Sequence, residues 1–369
     1  MDNVLLFAFI SILGSYILVS MLIPKISWIV QSRNLIDKPN QRSSHKDSTP
    51  TMAGVAFFLV LMFMLNVINT YDVEGIGINL IGATGLMFAI GLKDDLVLST
   101  PKAKLGGEIL AIAFILFCNC LQVSSLEGFL GIYHIPLAVS YGLVILMILT
   151  IVNSFNMIDG IDGLAAIIGI SIFSVYGCIF YVLDMSFYFL LCLCLIGILL
   201  AYLRFNLSAT KKIFMGDTGS LTIGFCIGFL SLKFLSIDAA MFAQHNLQVE
   251  NKLIVIGAIF FVPLFDTLRV IAVRLLNKQS PFHPDNNHIH HILIKSGLTH
   301  FKASLFLCVL NLFVAVTLIL LSSRFNSFEM LGIMALYFGF FSLVFYKLQA
   351  NIGKRNGFKY IIAAIQFLF

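Results

Sequence analysis

Asn153, Asn156, Asp159 and Asp162 stand in the stretch NSFNMIDGIDGLA, between two apolar runs that carry no charge. Residues three apart on a helix are neighbours, so Asn153, Asn156 and Asp159 share one face. The two Asp-Gly steps read as the end of that helix and a turn, with Asp162 near the N-cap of the next helix. A tight turn between helices accounts for the glycines but not for both asparagines. Carboxylate and amide oxygens gathered in this way suit a hard divalent cation.

Four further clusters carry chemistry. GLKDDL (91–96) closes an apolar run with Asp94 and Asp95 side by side. Adjacent carboxylates repel, and acids at a helix C-terminus oppose its dipole, so the pair calls for a cation or a shared proton. FMGDTGSL (214–221) enters another apolar run through Asp217. A Gly-Asp-x-Gly-Ser step there offers free N–H groups to a phosphate beside a cation, and the simpler reading is Asp217 as a helix N-cap. SPFHPDNNHIHHILIKSG (280–297) holds His283, His288, His290 and His291, four of the eight histidines. No cysteine accompanies them and the other clusters supply oxygen ligands, which favours phosphate binding over zinc. DKPNQRSSHKDSTPTMAG (37–54) is stiffened by Pro39 and Pro50 and offers Arg42, His45 and Lys46 as phosphate binders.

The inventory is acids and amides for one divalent cation, with cations and histidines for phosphate. Mg2+, with Mn2+ as the alternative, takes oxygen ligands and is completed by waters and substrate phosphates. Phosphoryl transfer needs positioning and charge neutralisation more than covalent help. Clusters held at a membrane face point to a lipid as one of the two substrates.

The elements that must position these residues are membrane helices. The 369 residues are 59% hydrophobic and 11% charged, well below the roughly 25% charged of a soluble domain. Mean hydropathy is +0.99, and uncharged runs of about 20 residues recur along the chain. Eleven spans are expected, near 4–24, 52–69, 77–92, 105–121, 137–158, 164–182, 185–203, 218–236, 252–276, 304–322 and 328–348. The fold class is thus all-α and polytopic, with residues 1–369 as one integral-membrane domain. The first run follows MDNV, which lacks the basic start of a signal peptide, so it reads as a retained helix.

Charge gives the orientation. Basic residues fill alternate loops, from Lys25, Arg33, Lys38, Arg42 and Lys46 through Lys93, Lys102 and Lys104 to Arg204, Lys211 and Lys212, while acids dominate the loops between them. The positive-inside rule then puts the N-terminus outside and the C-terminus in the cytoplasm. The expected catalytic loops, about 25–51, 93–104, 156–163, 204–217 and 277–303, all face the cytoplasm. The net charge of +5 is accounted for by topology and lipid contact, with no call for nucleic acid. The seven cysteines lie in apolar runs, and the two C-x-C pairs point to different helix faces, which suits packing rather than a metal.

In order, KDDL, NSFNMIDGIDGLA, FMGDTGSL and DNNHIHHIL resemble the motifs of the polyprenyl-phosphate N-acetylhexosamine-1-phosphate transferases, over most of the chain from Asp37 to about Gly297. The His-Ile-His-His form resembles the branch that uses UDP-N-acetylglucosamine and undecaprenyl phosphate, whereas the phospho-MurNAc-pentapeptide transferases carry three consecutive histidines. The resemblance implies transfer of a sugar 1-phosphate from a UDP-N-acetylhexosamine to the lipid phosphate, with release of UMP, in the bacterial cytoplasmic membrane. It implies Mg2+ on Asn156 and Asp217, and the paired acids Asp94 and Asp95 near the attacking phosphate, with Asp94 as the usual base. Asp159 and Asp162 match acids around the nucleotide and metal. His288, His290 and His291 match the loop over the diphosphate and sugar, and Lys46 and Thr49 match lipid-phosphate contacts. Where the family usually shows Gly-Gly, this sequence has Ala53-Gly54. Expected partners are the UDP-sugar, undecaprenyl phosphate and membrane lipid; assembly into a homodimer stays open.

A secondary transporter is the rival class. It would place charges near the bilayer midplane and show repeated halves. Here the acids gather at helix ends, and no internal repeat is visible.

Overall fold

The computed structural model describes residues 2–33, 36–37, 49–97, 100–243, 248–280 and 287–352. Arg42, His45, Lys46 and His283 lie outside the described residues.

Helices occupy all eleven expected stretches, and the chain is a polytopic helical membrane protein. Among the described residues, seven helices are by length and composition long and apolar enough to cross a membrane, or eight when one bent pair counts as a span. These are α1 (Asn3–Ser32), α5 (Leu137–Ile158), α6 (Leu164–Val182), α7 (Ser186–Asn206), α8 (Gly216–Ser236), α12 (His300–Ser322), α13 (Ser327–Ala350), and the pair that includes α9 (Lys252–Ile259) and α10 (Phe261–Leu276). Three more helices are short or charged: α2 (Gly54–Val67), α3 (Gly77–Leu96) and α4 (Pro101–Leu116). At about 1.5 Å per residue the 14-residue α2 covers only about 21 Å, less than a hydrocarbon core of about 30 Å. A short helix α11 (Ile289–Lys295) follows α10, and a five-residue helical turn at Ala239–Ala243 lies between α8 and α9. Among the described residues the strands form two small antiparallel pairs: Ile36–Asp37 with Thr49–Pro50, and Ser125–Phe129 with Ile132–His134.

The hub is α8. Between Asp217 and Lys233 it is uncharged and buried on every face, and α2, α3 and α5 pack around it. Glycines set how closely they approach. A Cβ on Gly54 would lie 2.1 Å from the Gly219 nitrogen, and one on Gly91 would lie 2.6 Å from the Asp217 carbonyl oxygen. The backbone before α2 also joins the segment leading into α8: Phe214 N–H donates to Pro50 O at 2.9 Å, and Ala53 N–H donates to Phe214 O at 3.1 Å. Ala53 has right-handed helical dihedrals, φ −59° and ψ −24°, so its methyl is accommodated without strain. The close approach belongs to Gly54, which is present.

The expected single span 252–276 is corrected to two helices bent by 75° at Phe260. Pro263 is the local cause: its ring lacks an N–H and crowds the carbonyl of Ile259. Buried Asn311 of α12 fills the gap, donating to Ile259 O at 3.0 Å and accepting from Val262 N–H at 3.0 Å. One side chain thereby meets both backbone groups freed by the break, a condition for bending a helix at membrane depth. The turn after α5 also differs from expectation. Helix α6 starts at Leu164 behind Gly163, whose φ of +82° favours glycine, and Asp162 does not cap it.

Candidate active site

Helices α3 and α5 end where α4 and α8 begin, and the side chains there converge. Lys104 on α4 donates from Nζ to Asp94 Oδ2 at 2.9 Å and to Asp217 Oδ2 at 3.0 Å. Asn156, in the last turn of α5, donates from Nδ2 to Asp217 Oδ1 at 2.6 Å and to Ser220 Oγ at 2.7 Å. Asp94, Asn156 and Asp217 therefore meet around an ammonium group. Burial pulls the Lys104 ammonium down, but Asp217 and Asp94 outweigh it and hold its pKa above the ordinary value.

The adjacent acids Asp94 and Asp95 are separated by their partners. Asp95 turns away from Lys104 to cap α8, accepting from the Asp217 N–H at 2.8 Å, the Thr218 N–H at 3.0 Å and the Thr218 hydroxyl. The N–H groups expected to be free for phosphate are occupied by this carboxylate. Gly216 makes room for it: its φ is +70°, and a Cβ there would lie 2.7 Å from Asp95 Oδ2. Asp217 itself sits in the first turn of α8 with its side chain turned to Lys104 and Asn156, so it is no N-cap.

Asp159 ends α5, half-buried. Burial first, then the charges of Asp217, Asp95 and Asp162, push its carboxyl up to about 7. Asp162 faces elsewhere, pairing with Lys212 Nζ at 2.7 Å and His300 Nδ1 at 3.0 Å, while its carbonyl accepts from Ser304 Oγ at 3.0 Å. Burial would raise the Asp162 carboxyl, but His300 and Lys212 outweigh it and hold it below its ordinary value. Its visible work is to tie the 159–163 turn to α12 and the 207–213 loop. Asn153 bonds Glu108 Oε2 at 2.9 Å and Leu149 O at 2.9 Å, which joins α5 to α4.

The histidines reach this end of the bundle through α10. Buried Asp266 accepts from Ile289 N–H at 2.9 Å and pairs with His288 Nδ1 at 2.9 Å, while Arg269 Nη2 lies 3.6 Å from it and donates to Asn287 O. His288 stacks on His290 with centroids 5.6 Å apart, and His291 lies 4.3 Å from His290. His290 is buried against Gly160, where a Cβ would come within 2.4 Å of its Nε2. Both of its ring nitrogens lack partners among the described residues, and burial holds the imidazole down to about 3, so it is neutral. The His-Ile-His-His stretch thus leans on the turn between Asp159 and Asp162. Thr49 is buried in the strand paired with Ile36–Asp37, one residue before Pro50, whose carbonyl accepts from Phe214 N–H.

Lys104, Glu108 and Asp266 are among the residues of this end that the sequence does not single out. Lys104 reads as one more basic loop residue, and the Lys104-x-x-x-Glu108 spacing is common on any helix. Asp266 carried a usable signal, a carboxylate inside an apolar run, which is costly without a partner.

Among the described residues no group of three or more His, Cys, Asp and Glu side chains forms a metal-holding cluster. The donor set at Asn156 and Asp217 nonetheless suits a hard cation. It is one carboxylate and one amide whose oxygen can replace its nitrogen, and a positive charge already sits there.

A sequence profile of glycosyl transferase family 4 matches residues 77–235, the stretch from α3 to the end of α8 that carries Asp94, Asn156 and Asp217. The undecaprenyl-phosphate alpha-N-acetylglucosaminyl 1-phosphate transferase of Haemophilus influenzae is 32% identical over 349 residues, 91% of each chain. The probable undecaprenyl-phosphate N-acetylglucosaminyl 1-phosphate transferase of Bacillus subtilis is 29% identical over 85% of each. The Escherichia coli K12 undecaprenyl-phosphate alpha-N-acetylglucosaminyl 1-phosphate transferase is 27% identical over 74% of this chain and 73% of its own. With near-complete coverage at this identity, and the matched segment carrying the converging acids, the chain belongs to glycosyl transferase family 4.

Proposed function

We propose that this protein transfers N-acetylglucosamine 1-phosphate from UDP-N-acetylglucosamine to undecaprenyl phosphate, releasing UMP, as an initiating step of lipid-linked envelope glycan synthesis. The observation that carries this reading is the meeting of Asp94, Lys104, Asn156 and Asp217 at one end of the bundle, beside the histidines docked on Gly160. Relatives named as undecaprenyl-phosphate N-acetylglucosaminyl 1-phosphate transferases, similar along most of the chain, support the lipid acceptor and the transferred group.

In the reaction an oxygen of the lipid phosphate attacks the sugar-bearing phosphorus of the UDP-sugar, and the bond to the UMP oxygen breaks. The second pKa of a phosphate monoester is about 6, so at neutral pH the nucleophile is largely dianionic. A strong base is then of little use, and an ammonium-paired Asp94 is better suited to orienting charge. Asn156 and Asp217 would hold Mg2+, which neutralises diphosphate charge when bound. Lys104 adds a second positive charge beside them. His288 and Arg269, anchored near Asp266, would line the diphosphate side.

The lipid chain would need an apolar place to lie. A cavity of about 330 Å³ opens between α5 and the break in the α9–α10 pair, lined by Met147, Ile151, Ile256, Phe260 and Leu264 among others. In the topology of this reading eleven helices form one unit in the cytoplasmic membrane, with the N-terminus outside, and the acid cluster and C-terminus face the cytoplasm.

Purified protein should release UMP from UDP-N-acetylglucosamine only when undecaprenyl phosphate and Mg2+ or Mn2+ are both present. A panel of UDP-sugars would rank the donor. UMP formed without lipid, or no turnover with any UDP-N-acetylhexosamine, would sink the proposal. Asp217→Asn should fold and lose most turnover; full activity would remove Asp217 from the site.

A further inference from the structure

The cation seated between Asp94 and Asp217 is the protein's own. Lys104 Nζ bonds both carboxylates, at 2.9 and 3.0 Å, while Asn156 Nδ2 donates to the other Asp217 oxygen. A divalent cation held by Asn156 and Asp217 cannot share that place with an ammonium, because like charges at contact distance repel strongly at a partly buried site. Uptake of the ion therefore needs two movements. The Asn156 amide must turn its oxygen inward, and Lys104 must withdraw. A lysine withdrawn from two carboxylates in a half-buried site needs another acceptor.

Glu108 offers one. It follows Lys104 by four residues on α4, so the two side chains lie on the same face one turn apart. Its side chain is only 1% exposed. Oε2 accepts from Asn153 at 2.9 Å, but buried Oε1 has no hydrogen-bond partner. An anchor joining α4 to α5 explains Oε2 and leaves Oε1 unexplained. A buried carboxylate oxygen without a donor is unfavourable, and an incoming ammonium would relieve it.

We propose that Glu108 is the second seat of Lys104: the ammonium bridges Asp94 and Asp217 in the metal-free protein and moves to Glu108 Oε1 when a divalent cation binds at Asn156 and Asp217. Lys104 is then a place-holding cation that keeps the acids together, and Glu108 is a positioning residue that acts through it. The inference rests on the reading of Asn156 and Asp217 as metal ligands.

The test is Mn2+ binding to the full chain in detergent without either substrate, followed by the electron spin resonance signal of free Mn2+. Lys104→Met removes the competing cation and should tighten Mn2+ by about tenfold, a coupling of ordinary size for contacting residues. Glu108→Gln places an amide N–H where Oε1 was, pins Lys104 on the acids and should weaken Mn2+ by about tenfold. In the Lys104→Met background the same Glu108→Gln change should shift Mn2+ affinity by less than about twofold. A tenfold weakening in that background would mean that Glu108 acts directly through its charge, which overturns the second seat. Should Glu108→Gln fail to fold, Lys104→Met alone decides: unchanged or weaker Mn2+ binding removes the place-holder. A wild-type protein whose Mn2+ affinity equals that of Asp217→Asn would instead overturn the metal reading beneath it.

Discussion

Asp266→Asn asks whether the histidines work through their buried anchor. The Asp266 carboxylate, 1% exposed, meets the Ile289 N–H at 2.9 Å and His288 Nδ1 at 2.9 Å. A carboxylate only accepts, so Nδ1 must carry the proton, which leaves Nε2 free to accept or, in the imidazolium, to donate to a phosphate. Asparagine has nearly the same volume and keeps one oxygen for Ile289. Its amide nitrogen then faces Nδ1, which must become the acceptor, and the neutral ring is driven to the opposite tautomer. The lost charge-assisted hydrogen bond is worth about 1.5–3 kcal/mol of stability, offset in part by the new amide–imidazole bond. The functional loss should be larger in proportion. Removing the orienting partner behind a functional histidine typically costs about 10- to 100-fold, and that fall is expected in the rate of UMP release. The assay pairs initial rates with thermal unfolding in the same detergent. An Asp266→Asn protein that unfolds a few degrees lower yet turns over at the wild-type rate would refute the argument. Activity lost only in proportion to the unfolded fraction would make Asp266 a packing residue.

Two further perturbations probe the scaffold and its charge. Gly54→Ala puts a methyl 2.1 Å from Gly219 N, where ordinary contact begins at 3.4 Å, so α2 must withdraw by more than 1 Å. Overpacking of this kind costs about 1–3 kcal/mol, and a shift of about 1 Å at the Asp217 turn should lower turnover about hundredfold; wild-type melting and turnover would show that the helices are not in that contact. Asp159, with its carboxyl raised to about 7, keeps a proton in the folded protein that the unfolded chain releases near pH 4. Metal-free stability should therefore be greatest below that range, decline as pH rises toward 7, and level off above it. Asp159→Asn should flatten the decline between pH 4 and 7, and equal slopes for the two proteins in denaturant melts would remove Asp159 as its source.

What was legible in the sequence follows from range. Asp94, Asn156, Asp159 and Asp217 are conspicuous because each interrupts an apolar run, and the local pattern alone marks the interruption. The eleven helical stretches are legible for the same reason. Partners are not, because they are set by packing between distant segments. Lys104 lies 113 residues from Asp217, and the α8 N-terminus capped by Asp95 lies 122 residues away from it. Without that helix in view, Asp94 and Asp95 look like two equal acids, yet one bridges a lysine and the other caps a helix. The bend at Phe260 was half legible. Pro263 announces a break, but whether a membrane can hold it depends on Asn311, 49 residues beyond Val262. The physics still allowed a stronger demand than the motifs did. A carboxylate near an apolar interior requires a donor or a cation, so Asp94, Asp217 and Asp266 each implied an unseen partner. Lys104 and His288 fill those places, and among the described residues Glu108 Oε1 is a buried carboxylate oxygen for which the demand is still unmet.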